Sequence, residues 1–301
     1  MNSPLVSLAL PVALAIIMFG LGLTLTVQDF TRILRHPAPV AVALACQLLL
    51  LPLLAFAVVL AFDLPPVLAV GMMLLAASPG GTTANVFSHL FRGDIALNIS
   101  LTALNSVLAV VTIPVVTNLA LAHFLPEHTG DTVGLQFGKV AQVFAIVLIP
   151  IAMGMLQRHL WPDFAARLDR PVRVASVVIL GAVVLGTITA ERDHLTAYLL
   201  DVGAAAAVFC LASLIIGYVV PRAFGVEDRQ AIACSMEIGI HNSTVAITIA
   251  AGVLGSVELA VPAAVYGVLM FPLAACTGWL ITRRIGRRAR PSPVDAEQVR
   301  Q

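Results

Sequence analysis

Long apolar segments separated by short polar loops run from the start of the chain to about residue 282. A helix needs roughly 20 consecutive apolar residues to cross the hydrocarbon core of a bilayer, and several segments reach that length. The pattern predicts about nine helical spans, at approximately 4–27, 38–61, 65–90, 95–124, 137–157, 172–190, 197–220, 228–252 and 257–282. We therefore expect an all-α polytopic membrane protein in which residues 1–282 form a single transmembrane domain.

The composition agrees with a membrane location. Of the 301 residues, 59% are hydrophobic and 11% are charged, whereas a soluble domain carries about 25% charged residues. A net charge of +1, without a basic stripe and interleaved aromatic residues, gives no indication of nucleic-acid binding. The first segment lacks a basic start and a small-residue cleavage site, so we expect a retained helix and not a signal peptide.

Basic residues concentrate in alternate loops, after spans 1, 3, 5, 7 and 9. These residues are Arg32, Arg35, Arg92, Arg158, Arg167, Arg170, Arg173, Arg222, Arg229, Arg283, Arg284, Arg287, Arg288 and Arg290. Because cytoplasmic loops carry the excess of Lys and Arg, we expect an outside N-terminus and a cytoplasmic polar tail at 283–301. The alternation also supports an odd number of spans. We expect the protein in the inner (plasma) membrane of a cell.

Two of the apolar segments contain residues that disfavour a continuous helix. The first reads SPGGTTANVF at 78–87, where Pro79 removes a backbone donor and Gly80 and Gly81 add backbone freedom. We expect the third span to unwind there and a half-helix to begin near Thr82, with free N–H groups and a positive dipole end suited to an anion. A packing kink is the structural alternative, because Pro and Gly are common in membrane helices.

The second segment reads MEIGIHNSTVAI and places Glu237 inside a span with no Lys or Arg nearby. A carboxylate at mid-helix costs about 2.5–3.5 kcal/mol on insertion, so such residues face a partner or a water-filled pathway. A sodium ion is a natural partner, since hard cations take oxygen ligands. Side-chain oxygens are available at Gln47, Asn85, Asn98, Thr102 and Asn242. An inter-helix hydrogen-bond cluster without an ion is the alternative.

The two interruptions occupy corresponding positions in the predicted topology. The third span is expected to run inward and the eighth outward, and each carries polar or helix-breaking residues at mid-membrane. Interrupted segments at corresponding, oppositely oriented positions point to an inverted-repeat transporter with a site near the bilayer midplane.

Three motifs together resemble the bile acid:sodium symporter family, and the resemblance covers nearly the whole chain. They are IMFGLGLTL with a following Asp29-Phe30 and His36-Pro37, then SPGGTTANVFSHLFRGDIAL, then EIGIHNS. The resemblance implies a core domain and a panel domain, with two discontinuous helices crossing in the core beside two sodium sites. By analogy the core comprises about 38–124 and 197–282, and the panel about 4–27 and 137–190.

The resemblance also implies which residues bind the ions and the cargo. One sodium site would use Asn85, Asn98, Thr102 and Glu237, and the other Gln47, Glu237, His241 and the backbone carbonyls of Ile238 and Ile240. The cargo would contact Gly80, Gly81, Thr82, Thr83 and Asn242. In three places the chain departs from the family pattern: Ala84 and Asn98 each replace a usual serine, and His241 replaces a usual glutamine. Asn98 can supply the oxygen that Ala84 lacks, whereas His241 offers nitrogen, or a proton site.

These observations predict a sodium-coupled symporter of organic anions that works by alternating access. Bile acids, keto acids and pantoate are cargoes that the resemblance implies, and the residues leave the choice open. The alternatives are a proton-coupled or uncoupled carrier on the same fold, and a membrane receptor that binds an anion without moving it. An enzyme is not expected, because the chain has no HExxH, GxSxG or paired intramembrane aspartates. Beyond sodium as the coupling ion, we expect no cofactor.

Overall fold

The computed structural model describes residues 37–126, 137–168 and 195–288, together with scattered positions between 12 and 28 and between 171 and 178. Across these residues the regular structure is helical, apart from one isolated antiparallel β-bridge. The principal helices are α1 Pro37–Ala61, α2 Pro66–Ala77, α3 Thr83–Leu90, α4 Ile95–Phe124, α5 Phe137–Leu160, α6 Leu195–Ala223, α7 Asp228–Gly239, α8 Ser243–Val253 and α9 Val261–Arg288. Helices α1 and α8 each contain a π-helical turn, at Cys46–Leu50 and Ile249–Val253.

Four helical segments of the described chain are long and apolar enough to cross a membrane. They are Pro37–Ala61, Ile95–Phe124, Val202–Ala223 and Glu258–Ile285. Large apolar side chains remain exposed on these helices, among them Leu53, Val111, Leu119, Ile215 and Val268. A surface of this kind suits contact with lipid, and the protein is a multi-pass membrane protein, as the sequence predicted.

The predicted spans agree closely with the helices where the structure describes them. The spans at 38–61, 95–124, 197–220 and 257–282 each coincide with a long helix, to within a few residues at most ends. The expected spans at 4–27 and 172–190 and most of the polar tail lie largely outside the described residues. The count of nine therefore stays a prediction.

The break expected in the third span is confirmed. Helix α2 ends at Ala77, and Ser78 continues in an extended conformation with φ −71° and ψ 148°. This conformation is the one that a residue before proline adopts, because the ring of Pro79 disfavours the helical region. The second half, α3, begins at Thr83, next to the predicted start at Thr82. We call α2 and α3 together the first broken helix.

A second broken helix is formed by α7 and α8. Helix α7 ends at Gly239, Ile240 leaves the helical region with φ −114° and ψ 85°, and α8 begins at Ser243. No proline causes this break. The chain instead restarts at Asn242, whose side-chain oxygen accepts a hydrogen bond from the N–H of Val245 at 3.2 Å, which is the usual arrangement at a helix N-cap.

The two broken helices cross at their breaks and satisfy each other's backbone groups there. The N–H of Gly81 donates to the carbonyl of Ile240 at 2.7 Å, and the N–H of Asn242 donates to the carbonyl of Pro79 at 2.8 Å. These bonds flank the antiparallel bridge between Gly80 and His241. Non-helical backbone at membrane depth needs such partners, because lipid supplies none.

Unbroken helices surround the crossing. Helix α4 packs against α2 and α7, and α6 packs against α7 and α9. The turn before α4 fixes its start, since Oδ1 of Asp94 accepts from the N–H of Leu97 at 3.0 Å and the N–H of Asp94 donates to the carbonyl of Arg229 at 2.9 Å. These contacts place one face of α4 directly against α7.

Candidate ion and anion site at the helix crossing

Glu237 lies in the last turn of α7 and is fully buried. The hydroxyl of Thr102 donates to Oε2 at 2.5 Å, and Nδ2 of Asn105 donates to Oε1 at 3.0 Å. The backbone of Gly80 also lies close against the carboxylate. A Cβ atom on Gly80 would overlap the carboxyl group of Glu237, so only glycine allows this close approach. All of these partners are neutral.

One face of α4 supplies the polar groups opposite Glu237. Asn98, Thr102 and Asn105 are spaced at i, i+4 and i+7, which places them on the same side of a helix. Asn98 is fully buried, and its Nδ2 donates to the carbonyl of Ala233 at 2.8 Å, one turn before Glu237. Its Oδ1 is buried and has no hydrogen-bond partner.

Gln47 and His241 meet at the carbonyl of Ser78, the residue that follows α2. Nε2 of Gln47 donates to this oxygen at 3.1 Å, and Nδ1 of His241 lies 3.2 Å from it. Because a carbonyl only accepts, Nδ1 of His241 carries the proton here. The remaining polar atoms, Oε1 of Gln47 and Nε2 of His241, are buried without a partner. Gln47 belongs to the π-helical turn of α1, a feature that is frequent at functional sites.

The remaining predicted sodium ligands are Asn85 and the backbone carbonyls of Ile238 and Ile240. Oδ1 of Asn85, in the first turn of α3, is buried without a partner, and no described hydrogen bond joins it to Glu237. The carbonyl of Ile240 accepts from Gly81. Ile238 lies in the last turn of α7. In a continuous helix its carbonyl would accept from the N–H of Asn242, four residues later, but that N–H donates to the carbonyl of Pro79 instead.

The chemistry of this residue set fits a hard cation such as sodium, which takes oxygen ligands. Three of the predicted ligands, Gln47, Asn85 and Asn98, each have an amide oxygen that is buried and lacks a donor. Such orphaned oxygens are unfavourable in a protein interior. A cation beside the Glu237 carboxylate would offset its negative charge, and any of these oxygens that it contacted would gain a partner.

The residues predicted to bind the anion divide into two groups. Thr82 is exposed and Thr83 half-buried at the start of α3, which has no side-chain cap, so the first backbone donors of this half-helix lack a capping group. The N–H of Gly81 is bonded to Ile240, Gly80 lies against the carboxyl group of Glu237, and Asn242 caps α8. In this conformation the open donors therefore lie at Thr82 and Thr83.

Comparison with known proteins identifies the family. A model described as the sodium bile acid symporter family matches residues 11–197, more than half of the 301-residue chain. The chain belongs to this family. The crossing of two broken helices around Glu237 is thus the candidate site of a member of the sodium bile acid symporter family.

Several curated relatives of this family member are transporters by name. An uncharacterized sodium-dependent transporter, YocS, of Bacillus subtilis is 28% identical over 263 residues, covering 87% of this chain and 79% of the relative. The probable chloroplastic sodium/metabolite cotransporter BASS1 of Arabidopsis thaliana is 28% identical, covering 94% and 68%. The human ileal sodium/bile acid cotransporter is 25% identical, covering 82% and 70%. These names agree with a transporter and not with an enzyme.

Two residues of the site were missed by sequence reasoning. Asn105 contacts Glu237 directly, and its i+7 spacing from Asn98 was a signal that could have found it. The fully buried Tyr266 donates its hydroxyl to the carbonyl of Gly239 at 2.8 Å. Its ring lies 5.4 Å from that of His241, which also stacks on Phe209 at 5.6 Å. No sequence pattern points to Tyr266, because its role depends on how α9 packs against α7.

Proposed function

We propose that this family member is a sodium-coupled symporter of organic anions that works by alternating access. The observation that carries the proposal is the environment of Glu237, a fully buried carboxylate whose hydrogen-bond partners Thr102 and Asn105 are neutral. Nearby amide oxygens are buried without donors. An acid with no basic partner, among oxygens that lack hydrogen-bond donors, is suited to a cation that enters and leaves.

Two sodium sites share Glu237 in this proposal. The first uses Asn85 with Asn98 and Thr102 of α4, and the second uses Gln47, His241 and the carbonyls of Ile238 and Ile240. The contact of Thr102 with Glu237 supports the first site, and the meeting of Gln47 and His241 at Ser78 supports the second. The sodium dependence in the names of the relatives supports sodium as the ion.

The cargo in this proposal is a small organic anion bound at the start of α3. Helix N-termini attract anions through their free N–H groups and the positive end of the helix dipole. The uncapped start at Thr82 and Thr83 supports this position, with Gly80, Gly81 and Asn242 forming the backbone around it. The relatives named above include bile acid and metabolite cotransporters, and these names support an organic anion as the cargo to test first.

The proposed architecture is an inverted repeat of nine spans in the plasma membrane, with an outside N-terminus and a cytoplasmic C-terminus. The order of helices supports the repeat. An unbroken helix, a broken helix and a long helix follow each other in α1 to α4, and the same order recurs in α6 to α9. Residues 38–124 and 197–282 form the core in this proposal, and 4–27 and 137–190 the panel.

Thermal unfolding of the purified protein tests the proposal, because ligands that bind the native state stabilise it. A panel containing a bile acid, a keto acid and pantoate is screened in sodium chloride and in choline chloride at equal ionic strength. We expect sodium alone to raise the unfolding temperature and one anion to raise it further only with sodium. Uptake of that anion into proteoliposomes then distinguishes a carrier from a receptor.

A proton-coupled carrier is the second candidate, and a specific observation favours it. Nε2 of His241 is a buried nitrogen without a partner, where the family pattern has a glutamine. If uptake follows an imposed proton gradient and is the same in sodium and choline, proton coupling replaces sodium coupling.

A further inference from the structure

Asn105 contacts Glu237 but belongs to neither of the two proposed sodium sites. Its side chain is 3% exposed, and its Nδ2 donates to Oε1 of Glu237 at 3.0 Å. Its Oδ1 is buried without a hydrogen-bond partner. A buried carbonyl oxygen that lacks a donor is unfavourable, so this arrangement requires an explanation.

The carboxylate explains why the amide nitrogen faces inward. A carboxylate oxygen only accepts hydrogen bonds, and the amide of asparagine has a donor on one side and an acceptor on the other. Beside a bare carboxylate, Nδ2 must therefore face Glu237 and Oδ1 must face away, where it finds no donor. A cation beside Oε1 reverses this preference, because it attracts the amide oxygen and repels the amide hydrogens.

The position of Asn105 on α4 places it within reach of such a cation. Asn105 follows Thr102 by three residues on the same helix face, and the two side chains contact the two different oxygens of the Glu237 carboxylate. Asn98 lies one turn on the other side of Thr102 and bonds to Ala233. Asn105 therefore bonds to Oε1 of the carboxylate while Thr102 bonds to Oε2.

We propose that Asn105 is a sodium ligand that responds to the ion. Without sodium its Nδ2 donates to Oε1 of Glu237. When sodium binds beside Oε1, the amide turns about the Cβ–Cγ bond and Oδ1 coordinates the ion. This inference rests on the proposed function, since it takes sodium as the cation of the site. Asn105 would add one oxygen to the predicted sodium ligands, among which Ala84 replaces a usual serine and has no side-chain oxygen.

Sodium binding by the purified full chain tests the proposal through two variants. Asn105→Leu has neither donor nor acceptor, whereas Asn105→Asp keeps an acceptor oxygen in nearly the same shape. Thermal unfolding is followed across a sodium chloride titration at constant ionic strength, with choline chloride as the replacement salt. We expect Asn105→Leu to raise the half-saturating sodium concentration about tenfold or more, and Asn105→Asp to bind sodium at least as tightly as the wild type.

Asn118→Leu is the matched control. Asn118 lies on the same helix, but its Nδ2 donates to the carbonyl of Pro114 at 2.8 Å, within α4 itself. This variant should show the wild-type response to sodium, because it removes an asparagine of the same helix without touching Glu237.

Two results would overturn the proposal. If Asn105→Leu binds sodium as tightly as the wild type or more tightly, Asn105 only competes with the ion for Glu237. If Asn105→Asp weakens sodium binding as much as Asn105→Leu, the donor matters and not the oxygen. Should Asn105→Leu fail to fold, Asn105→Ala removes the same atoms without added bulk and is interpreted in the same way. A wild type that responds equally to sodium and choline contradicts sodium coupling itself, which separates the two failures.

Discussion

The two broken helices meet at one β-bridge, yet their breaks are built from different residues. The first breaks through Pro79, Gly80 and Gly81, and its second half begins at Thr83, with no side-chain cap from the exposed Thr82. The second breaks without proline, carries Glu237 just before the break, and restarts at a capped Asn242. One break therefore leaves backbone donors open, whereas the other contributes a negative charge.

In the proposed function, this difference separates binding of the anion from binding of the cation. Open N–H groups at the start of α3 suit an anion, and the buried carboxylate at the end of α7 suits a cation. The hydrogen bonds between Gly81 and Ile240 and between Asn242 and Pro79 hold the two breaks side by side. In the proposed function, this contact is the route by which ion binding at one break stabilises the anion site at the other.

The largest predicted effect on sodium binding comes from removing the charge of Glu237, at the second break. We expect Glu237→Gln to abolish the sodium-dependent rise in unfolding temperature and sodium-dependent uptake, because both proposed sodium sites lose their only negative charge. The glutamine is similar in shape, and its oxygen can still accept from Thr102, so the protein should fold.

Glu227→Gln provides the control for this variant. Glu227 is exposed at the start of α7, ten residues before Glu237, and its replacement should leave sodium binding unchanged. Undiminished sodium-dependent uptake by Glu237→Gln would overturn the cation site.

The next largest effects on ligand binding are expected at two neighbouring glycines of the first break, Gly80 and Gly81, which form a matched pair. A methyl group on Gly80 would overlap the Glu237 carboxyl group, whereas one on Gly81 would lie 3.3 Å from the carbonyl oxygen of His241. We expect Gly80→Ala to displace the carboxylate and remove most of the sodium response. Gly81→Ala should keep that response and lower anion affinity, since the methyl group tightens the turn beside Thr82. Sodium and anion titrations of both variants measure the difference, and equal effects would contradict it.

Much of this comparison was visible in the sequence, because it depends on local chemistry. Pro79 with two glycines predicted the first break, and Glu237 in an apolar span predicted a site. Long apolar runs gave the bounds of α1, α4 and α6 to within a few residues.

What the sequence did not show depends on contacts between distant segments. The use of the Gly81 N–H by Ile240 and the contact of Asn105 with Glu237 arise only when the two broken helices pack against each other and against α4. The cap formed by Asn242 is local, whereas the sequence predicts a cargo contact for this residue. The assignments to sodium and cargo remain predictions.

Asn98 tests whether the α4 face completes the first sodium site. Its Oδ1 is buried without a donor, while the neighbouring α3 has the buried Ala84, which offers no side-chain oxygen. We expect Asn98→Ala to raise the half-saturating sodium concentration several-fold, by less than about tenfold, because other oxygens remain. Adding Ala84→Ser should restore part of the affinity. Transport rates measured against sodium decide it, and an unchanged sodium dependence in Asn98→Ala would indicate that only the Gln47 site binds the ion.

The smallest effect concerns the two half-helix starts, one capped and one open. Asn242→Ala removes the side-chain oxygen that accepts from Val245, and loss of such a cap lowers stability by about 1 kcal/mol. Asn242→Asp should retain the stability, because aspartate caps a helix equally well, but its charge should repel an anionic cargo. Thr82→Ala should leave stability unchanged, since no side chain caps α3. Thermal unfolding without ligand measures the stability, and anion titration in sodium measures the affinity. If Asn242→Ala unfolds at the wild-type temperature while Thr82→Ala is destabilised, the assignment of the capped and the open break is reversed, and with it the position proposed for the anion.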